Sequence, residues 1–380
     1  QGAYALACLT NGMLIGARDP VGIRPLVLGR VGGAYVLTSE TCALDIVGAE
    51  FIREIDNGEI VHVNAYGYAN LEQQRRLQTD TVMYGASLTK AAFGYMIMQL
   101  VDEGLIDLDR PMYEYLPRPL IEYEDYTDLA GDDRWRLLTA RMVLNHTTGF
   151  HNFRWIDDDH KLQFHRQPGT WYGYSAEGFY ILQMVLEEGL HLDVKAEMQR
   201  RVYDRFGMTR TSMQWRPDFR PNLADGYSID GTYEPHDERS NVSAAGSMDT
   251  TIADQARMWA GIVRGDGLSA RARAEFARPQ FAIMGAHQFP AFIPAGDPRG
   301  PAINLSAGVG IVTFQDATGT MWFKGGHNDF TGNMVICQDT RRRCVVFLGN
   351  SVRAERIYPE LARFILGETA MPWWWEYNPS

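Results

Sequence analysis

The stretch "YGASLTKAAFGYM", Tyr84–Met96, places a serine and a lysine three residues apart where an extended run gives way to a helical pattern. Two readings compete. A serine at a helix start is an ordinary N-cap, its hydroxyl accepting from a backbone N–H of the first turn. Alternatively, residues three apart share a helix face, so Lys90 would sit beside the Ser87 hydroxyl as a proton partner. The following "AAFGYMIMQLVDEG" predicts a helix of about four turns ending at Gly104, a C-cap glycine. The pair alone is a weak signal, because average residue usage yields one about once or twice in a chain of this length. An amine with a free pKa of ~10.4 becomes a base at neutral pH only through burial or a neighbouring cation. The catalytic reading therefore demands further partners elsewhere in the chain.

Working outward, 380 residues with 45% hydrophobic and 22% charged side chains suffice for one large core or two smaller ones. The formal net charge of −11 argues against a nucleic-acid partner and in favour of small molecules. No run approaches the ~18 apolar residues of a membrane span, and nothing at the start reads as a signal peptide, so the expectation is a cytoplasmic protein. Cys8, Cys42, Cys337 and Cys344 show no metal-ligand spacing. Cys337 and Cys344 flank "QDTRRR" in what reads as a hairpin; a bridge is open to them, but the rarity of cytosolic disulfides favours thiols.

The pattern divides near Ala65. Residues 1–64 form short β-rich runs such as "MLIGARD" and "AYVLTSE", separated by turn signals at Asn11-Gly12 and Gly32-Gly33. Residues 65–380 begin with helical patterns, mostly helical over about 107–243, and return to strands in "INLSAGVGIVTF", "MWFKGG", "NMVICQD" and "RCVVFLGN". The expected fold is an α/β (α+β) sandwich, an antiparallel sheet built from both ends of the chain and flanked by helices. Unpaired edges in the first segment would be covered by the body's sheet or by a second copy, making a homo-oligomer through these strands an expectation.

The first segment, from "GAYALACLTNGMLIGARDPVGIRPLVLG" to "EIDNGEIVHV", resembles the later part of the glutamine amidotransferase domain of the amidophosphoribosyltransferase family. That chemistry requires an N-terminal cysteine whose amine is the base, a glutamine-binding half and a phosphoribosyl domain. Here the first residue is Gln1, and Cys8 lies within an apolar strand pattern where a small buried thiol is expected. The resemblance thus implies strands, not glutaminase activity.

The partners that Ser87 and Lys90 need appear in order. "PGTWYGYSAEGF" (Pro168–Phe179) places Tyr174-Ser175 before a second amphipathic helix, and "MWFKGGHNDFTG" (Met321–Gly332) places Lys324-Gly325-Gly326 on a late strand. With "LVDEGLIDLDRPMYEYLP", "MVLNHTTGF" and "AAGSMDTTIADQARM", these resemble the serine β-lactamase superfamily of class C β-lactamases, penicillin-binding peptidases and family VIII carboxylesterases. The resemblance implies Ser87 as nucleophile, Lys90 as its proton partner and Tyr174 as proton shuttle. Lys324 would support the tyrosine and hold a substrate carboxylate, Gly326 would keep the strand open, and the backbone N–H groups of Ser87 and His327 would form the oxyanion hole. It implies no metal and no cofactor.

Two departures bear on substrate. Tyr174-Ser175-Ala176 lacks the asparagine amide that the family places at Ala176 against acylamino side chains, and Gly325 replaces a hydroxyl residue that donates to a carboxylate. The first tilts the expectation towards a small-ester or amide hydrolase like the carboxylesterases; the second removes one donor for a carboxylate, but Lys324 remains, so an anionic substrate stays open. The rivals are a β-lactamase, a D-Ala peptidase and a non-catalytic binding protein. His146 in "NHTTG" is expected to hydrogen-bond structurally instead of acting as a base. The acidic run Asp157–His160 reads as a solvated loop, with no second ligand group spaced to help it hold a cation.

Overall fold

A computed structural model describes residues 5–10, 13–18, 27–38, 41–54, 60, 62–293 and 296–377. The N-terminal segment holds β1 (Ala5–Thr10), β2 (Met13–Arg18), β3 (Val27–Val31), β4 (Ala34–Thr38), α1 (Thr41–Ile46) and β5 (Glu50–Glu54). β1 pairs with β2, and β3 lies between β4 and β5, all antiparallel. Gly32 and Gly33 take positive φ at the β3–β4 turn, a backbone conformation that closes a tight hairpin at little steric cost. Among the described residues every ladder of this segment stays inside it, around a small core of Val27, Leu44 and Ala49. The expectation of one sheet built from both ends of the chain is therefore corrected: short turns satisfy these strands locally, before any distant partner is needed. Deleting residues 1–58 should leave a soluble protein with unchanged kcat/KM. An aggregated truncation with no cooperative thermal transition would show that the segment supports the body.

The body opens with β6 (Tyr68–Asn70), β7 (Arg75–Arg76) and β8 (Met83–Tyr84), then α2 (Leu88–Asp102). Every residue of α2 from Leu88 to Leu100 is buried. A mostly apolar helix that is buried on all sides runs through the middle of a molecule. Gly104, at φ 72°, follows its end as expected. The middle of the chain is built of short helices, including α3 (Ala140–Leu144), α4 (Glu177–Met184) and α5 (Val194–Met198), with a small β9 (Gly226–Tyr227)–β10 (Tyr233–Glu234) pair. β11 (Asp249–Thr250) pairs with β8 and leads into α6 (Ile252–Arg264) and α7 (Ala270–Phe276).

The main sheet has the order β12 (Phe281–Ala282), β13 (Ser306–Ala307), β14 (Val312–Asp316), β15 (Gly319–His327), β16 (Gly332–Gln338), β17 (Arg343–Gly349), antiparallel throughout. A short α8 (Arg299–Ala302) precedes β13, and α9 (Tyr358–Leu366) and α10 (Trp373–Glu376) follow the last strand. Strand alternation explains the near-continuous apolar runs. Trp322, Val335 and Cys337 join the core containing α2 and α6, whereas Phe323, Met334 and Ile336 join the core containing α9 and α10. Both faces are covered, so both sets of alternate residues must be apolar. Cys337 and Cys344 stand opposite each other in β16 and β17 and form a disulfide, against the expectation of thiols. The hairpin register sets these two side chains together, which compartment statistics could not reveal.

Candidate active site

Ser87 is the N-cap residue of α2, but its side chain makes no capping hydrogen bond. Its Oγ instead accepts from Lys90 Nζ at 3.2 Å. The approach to it is strained: Gly85 N donates to Met248 O (2.8 Å), and Ala86 takes φ 46°, unusual for a residue with a side chain. Thr89 locks this turn, its hydroxyl donating to Ala86 O at 2.6 Å and accepting from Met248 N at 3.1 Å. Such strain persists where surrounding contacts over-determine the backbone, commonly at functional sites. The Ser87 N–H meets no acceptor among the described residues.

Lys90 is 2% exposed. Its Nζ also donates to Ala245 O at 2.7 Å and lies 4.9 Å from the centroid of the Tyr174 ring. Burial pushes its pKa down, and the nearby Lys324 charge lowers it further, with Tyr174 opposing. A buried amine with few charge partners is held towards its neutral, basic form. Ala245, from the "AAGSMDT" loop, was not singled out as a site residue in the sequence; a backbone carbonyl leaves no signature in residue type.

Tyr174 is held from three sides. Lys324 Nζ donates to its hydroxyl at 3.2 Å, His146 stacks on its ring with centroids 4.3 Å apart, and Phe289 meets it edge-on at 5.4 Å. His146 Nδ1 accepts from Ser175 N at 3.2 Å, so the ring braces the motif as expected. Burial, reinforced by Lys90 and Lys324, holds His146 well below the usual imidazole pKa and keeps it neutral. Burial lowers Lys324 to about 8, against the pull of Glu376 that favours its charge.

β14 reaches only as far as Phe323, through Val312, so Lys324 to His327 pair with β16 alone among the described strands. The other edge of this stretch is open. Gly326 faces the start of α2: a Cβ there would come 2.9 Å from Gly85 O and 3.1 Å from Leu88 N, so only glycine lets the strand approach the start of α2 this closely. His327 Nε2 lies 3.0 Å from Glu376 Oε1, and Nδ1 contacts Glu355 Oε1. Burial works against the imidazolium, but the two carboxylates outweigh it and raise the pKa to about 9. Glu355, Glu376 and Gln288, all near the site, escaped the sequence reading because they come from loops and short helices far away in the chain.

Not every expected residue reaches the site. Ala176 is wholly buried in the main core, its N–H taken by Asn152 O and Oδ1, and it presents no surface to a substrate. The loop with Asp157 also differs from expectation. Asp158, Asp159 and His160 are exposed, but Asp157 is bound by His151 Nδ1 at 3.0 Å and His165 Nε2 at 2.9 Å. Two histidines thus do lie beside it, brought together by a returning loop, with donor atoms within 4.8 Å of one another. Their rings stack face to face at 3.7 Å and pack on Phe292. Each ring uses one oxygen of Asp157, and face-to-face rings direct their lone pairs along parallel planes. The arrangement is a hydrogen-bonded clamp; convergence of both rings on one ion would part the stack.

The fold agrees with what this chain is similar to. Solved structures sharing the fold include an octameric penicillin-binding protein homologue from Pyrococcus abyssi, with TM-score 0.65 and 17% identity over 84% of this chain and 73% of that one. Another is a D-alanine carboxypeptidase AmpC from Burkholderia cenocepacia, with TM-score 0.61 and 17% identity over 90% and 93% of the two chains. A short region is 54% identical over 61 residues to the amidophosphoribosyltransferase of Rhizobium etli and 49% over 67 residues to that of Bacillus subtilis. The chain spans only 12% and 14% of the lengths of those two relatives, 16% and 18% of its own. The family model described as Beta-lactamase matches residues 46–369, which takes in the serine, tyrosine and lysine motifs together with the whole sheet. On the strength of that match, and of a fold and motif arrangement that agree with it, the chain belongs to the Beta-lactamase family.

Proposed function

We propose that the protein is a serine acyl hydrolase that cleaves small esters or amides through an acyl-enzyme on Ser87, with a carboxylesterase-like preference. The observation that carries this reading is the Ser87 hydroxyl, which leaves its own helix uncapped and meets a buried, basic Lys90 instead. Ser87 Oγ would attack the acyl carbonyl as its proton passes to Lys90 Nζ. Tyr174, held by Lys324, would return a proton to the departing alcohol or amine, and water would then release the acid. The N–H groups of Ser87 and His327 would receive the oxyanion, worth several kcal/mol in sites of this kind.

The ester preference rests on the resemblance: the asparagine amide that the family places in this motif is absent, and Ala176, buried in the core, offers a substrate nothing in its stead. A substrate with an acylamino group would bury that amide without its usual partner, at a cost of about 1–3 kcal/mol, whereas a simple ester has no such group. One observation favours a lactam-hydrolysing alternative. Asn152 stands beside Ala176, and its amide nitrogen meets no acceptor among the described residues, leaving a donor near the vacant position. A comparison of kcat/KM decides: p-nitrophenyl butyrate should be turned over faster than nitrocefin. The opposite order would replace the esterase reading with a β-lactamase one.

A further inference from the structure

Gly325 stands where the family carries a hydroxyl residue, and the structure gives a reason. A Cβ built on it would lie 2.0 Å from Glu376 Oε1 and 2.3 Å from His327 Nε2, so no side chain fits while those two are in place. Gly325 and His327 share the sheet face covered by α10, and Glu376 is the last residue of that helix.

Glu376 is firmly seated. Its side chain is 2% exposed. Oε1 is bound by His327 and Oε2 accepts from Gln288 Nε2 at 3.1 Å, while Gln288 N donates to Trp375 O at 3.0 Å. Trp375 anchors the helix, fully buried against Tyr172 and Phe323 at centroid distances of 5.7 and 6.3 Å. With Tyr174, Lys324 and Gly325, Glu376 lines one small cavity at the open edge of β15, where β14 has stopped. His327 lies between Glu355 and Glu376, whereas Lys324, which feels the Glu376 charge, donates to the Tyr174 hydroxyl and Gly325 O and forms no ion pair among the described residues.

We propose that Glu376 is a specificity-determining residue, a carboxylate supplied by the chain itself that fills the anion position beside Lys324 and restricts the site to acyl substrates without a carboxylate there. An incoming carboxylate would be placed against a buried like charge that already stands beside Lys324. Discrimination of this kind works by repulsion as much as by attraction. The missing hydroxyl at Gly325 and the presence of Glu376 are then two parts of one arrangement, the first making room for the second.

The proposal rests on Ser87 being the nucleophile, and its test separates the two. Covalent labelling of Ser87 is followed by mass in the wild type and in Glu376→Gln, with a neutral fluorophosphonate, which phosphonylates the serine and loses fluoride, and with benzylpenicillin, which carries a carboxylate and acylates it by opening of the lactam. The ratio of the penicillin rate to the fluorophosphonate rate should rise at least about tenfold in the variant, as expected when a like-charge clash is removed. An unchanged ratio with Ser87 still labelled overturns the proposal and leaves the nucleophile standing. Labelling of neither protein by either probe overturns both. If the variant does not fold, the wild type alone decides through protection of Ser87 from fluorophosphonate by benzamide or by benzoate. Benzamide should protect at a concentration at least about tenfold lower. Equal or better protection by benzoate overturns the proposal.

Discussion

Ser87→Ala is expected to abolish turnover of every acyl substrate the wild type accepts, with a loss of about 10³-fold or more and no change of fold. The variant removes one oxygen. Because Ser87 makes no capping bond to α2, that oxygen contributes nothing to the helix end, and the usual loss of about 1 kcal/mol for removing a cap does not apply. Its recorded partner is Lys90 Nζ, which keeps Ala245 O as an acceptor after the change. Thermal melting should therefore match the wild type while kcat/KM collapses and fluorophosphonate labelling disappears. A variant that retained most of its rate would place the nucleophile elsewhere.

Lys90→Met separates catalysis from stability in the same site. Folding desolvates the Lys90 amine, and the lowered pKa shows that burial disfavours its charged form in the folded state. Met has similar length and no charge to desolvate, so a melting temperature at or above that of the wild type is expected. The orphaned Ala245 carbonyl limits the gain, since an unpaired buried acceptor costs about 1–3 kcal/mol. Turnover, in contrast, should fall by about 10³-fold or more, because the serine proton loses its acceptor in the attacking step. A marked drop in melting temperature would mean that Lys90 chiefly holds the loop at Ala245. An active Lys90→Met protein would remove the lysine from the mechanism.

The helix from Leu88 to its stop near Gly104 was legible because its causes are local: a mostly apolar run of helix-forming length, a serine start and a glycine free to take positive φ. The late strands were legible for the same kind of reason. Their hairpins are short, and alternate residues are apolar on both faces because both faces are covered. The approach of Lys324 to Tyr174 could be expected only from the resemblance, since 150 residues separate them and no periodicity links them.

The sequence by itself determined the placing of Ser87 and Lys90 on one helix face, the order of the three motifs and the alternation of strands and helices, all set by short-range spacing and local backbone preference. Tertiary structure decided whether Ser87 caps its helix or meets Lys90, since both are open to a serine at a helix start until burial around Lys90 is known. It also kept the first five strands out of the main sheet, joined Cys337 to Cys344, withdrew Ala176 into the core and set Glu376 against Gly325. Each of these depends on which surfaces meet after the chain has closed on itself. Desolvation and steric exclusion act between residues that are distant in sequence, and those forces exist only once the packing does.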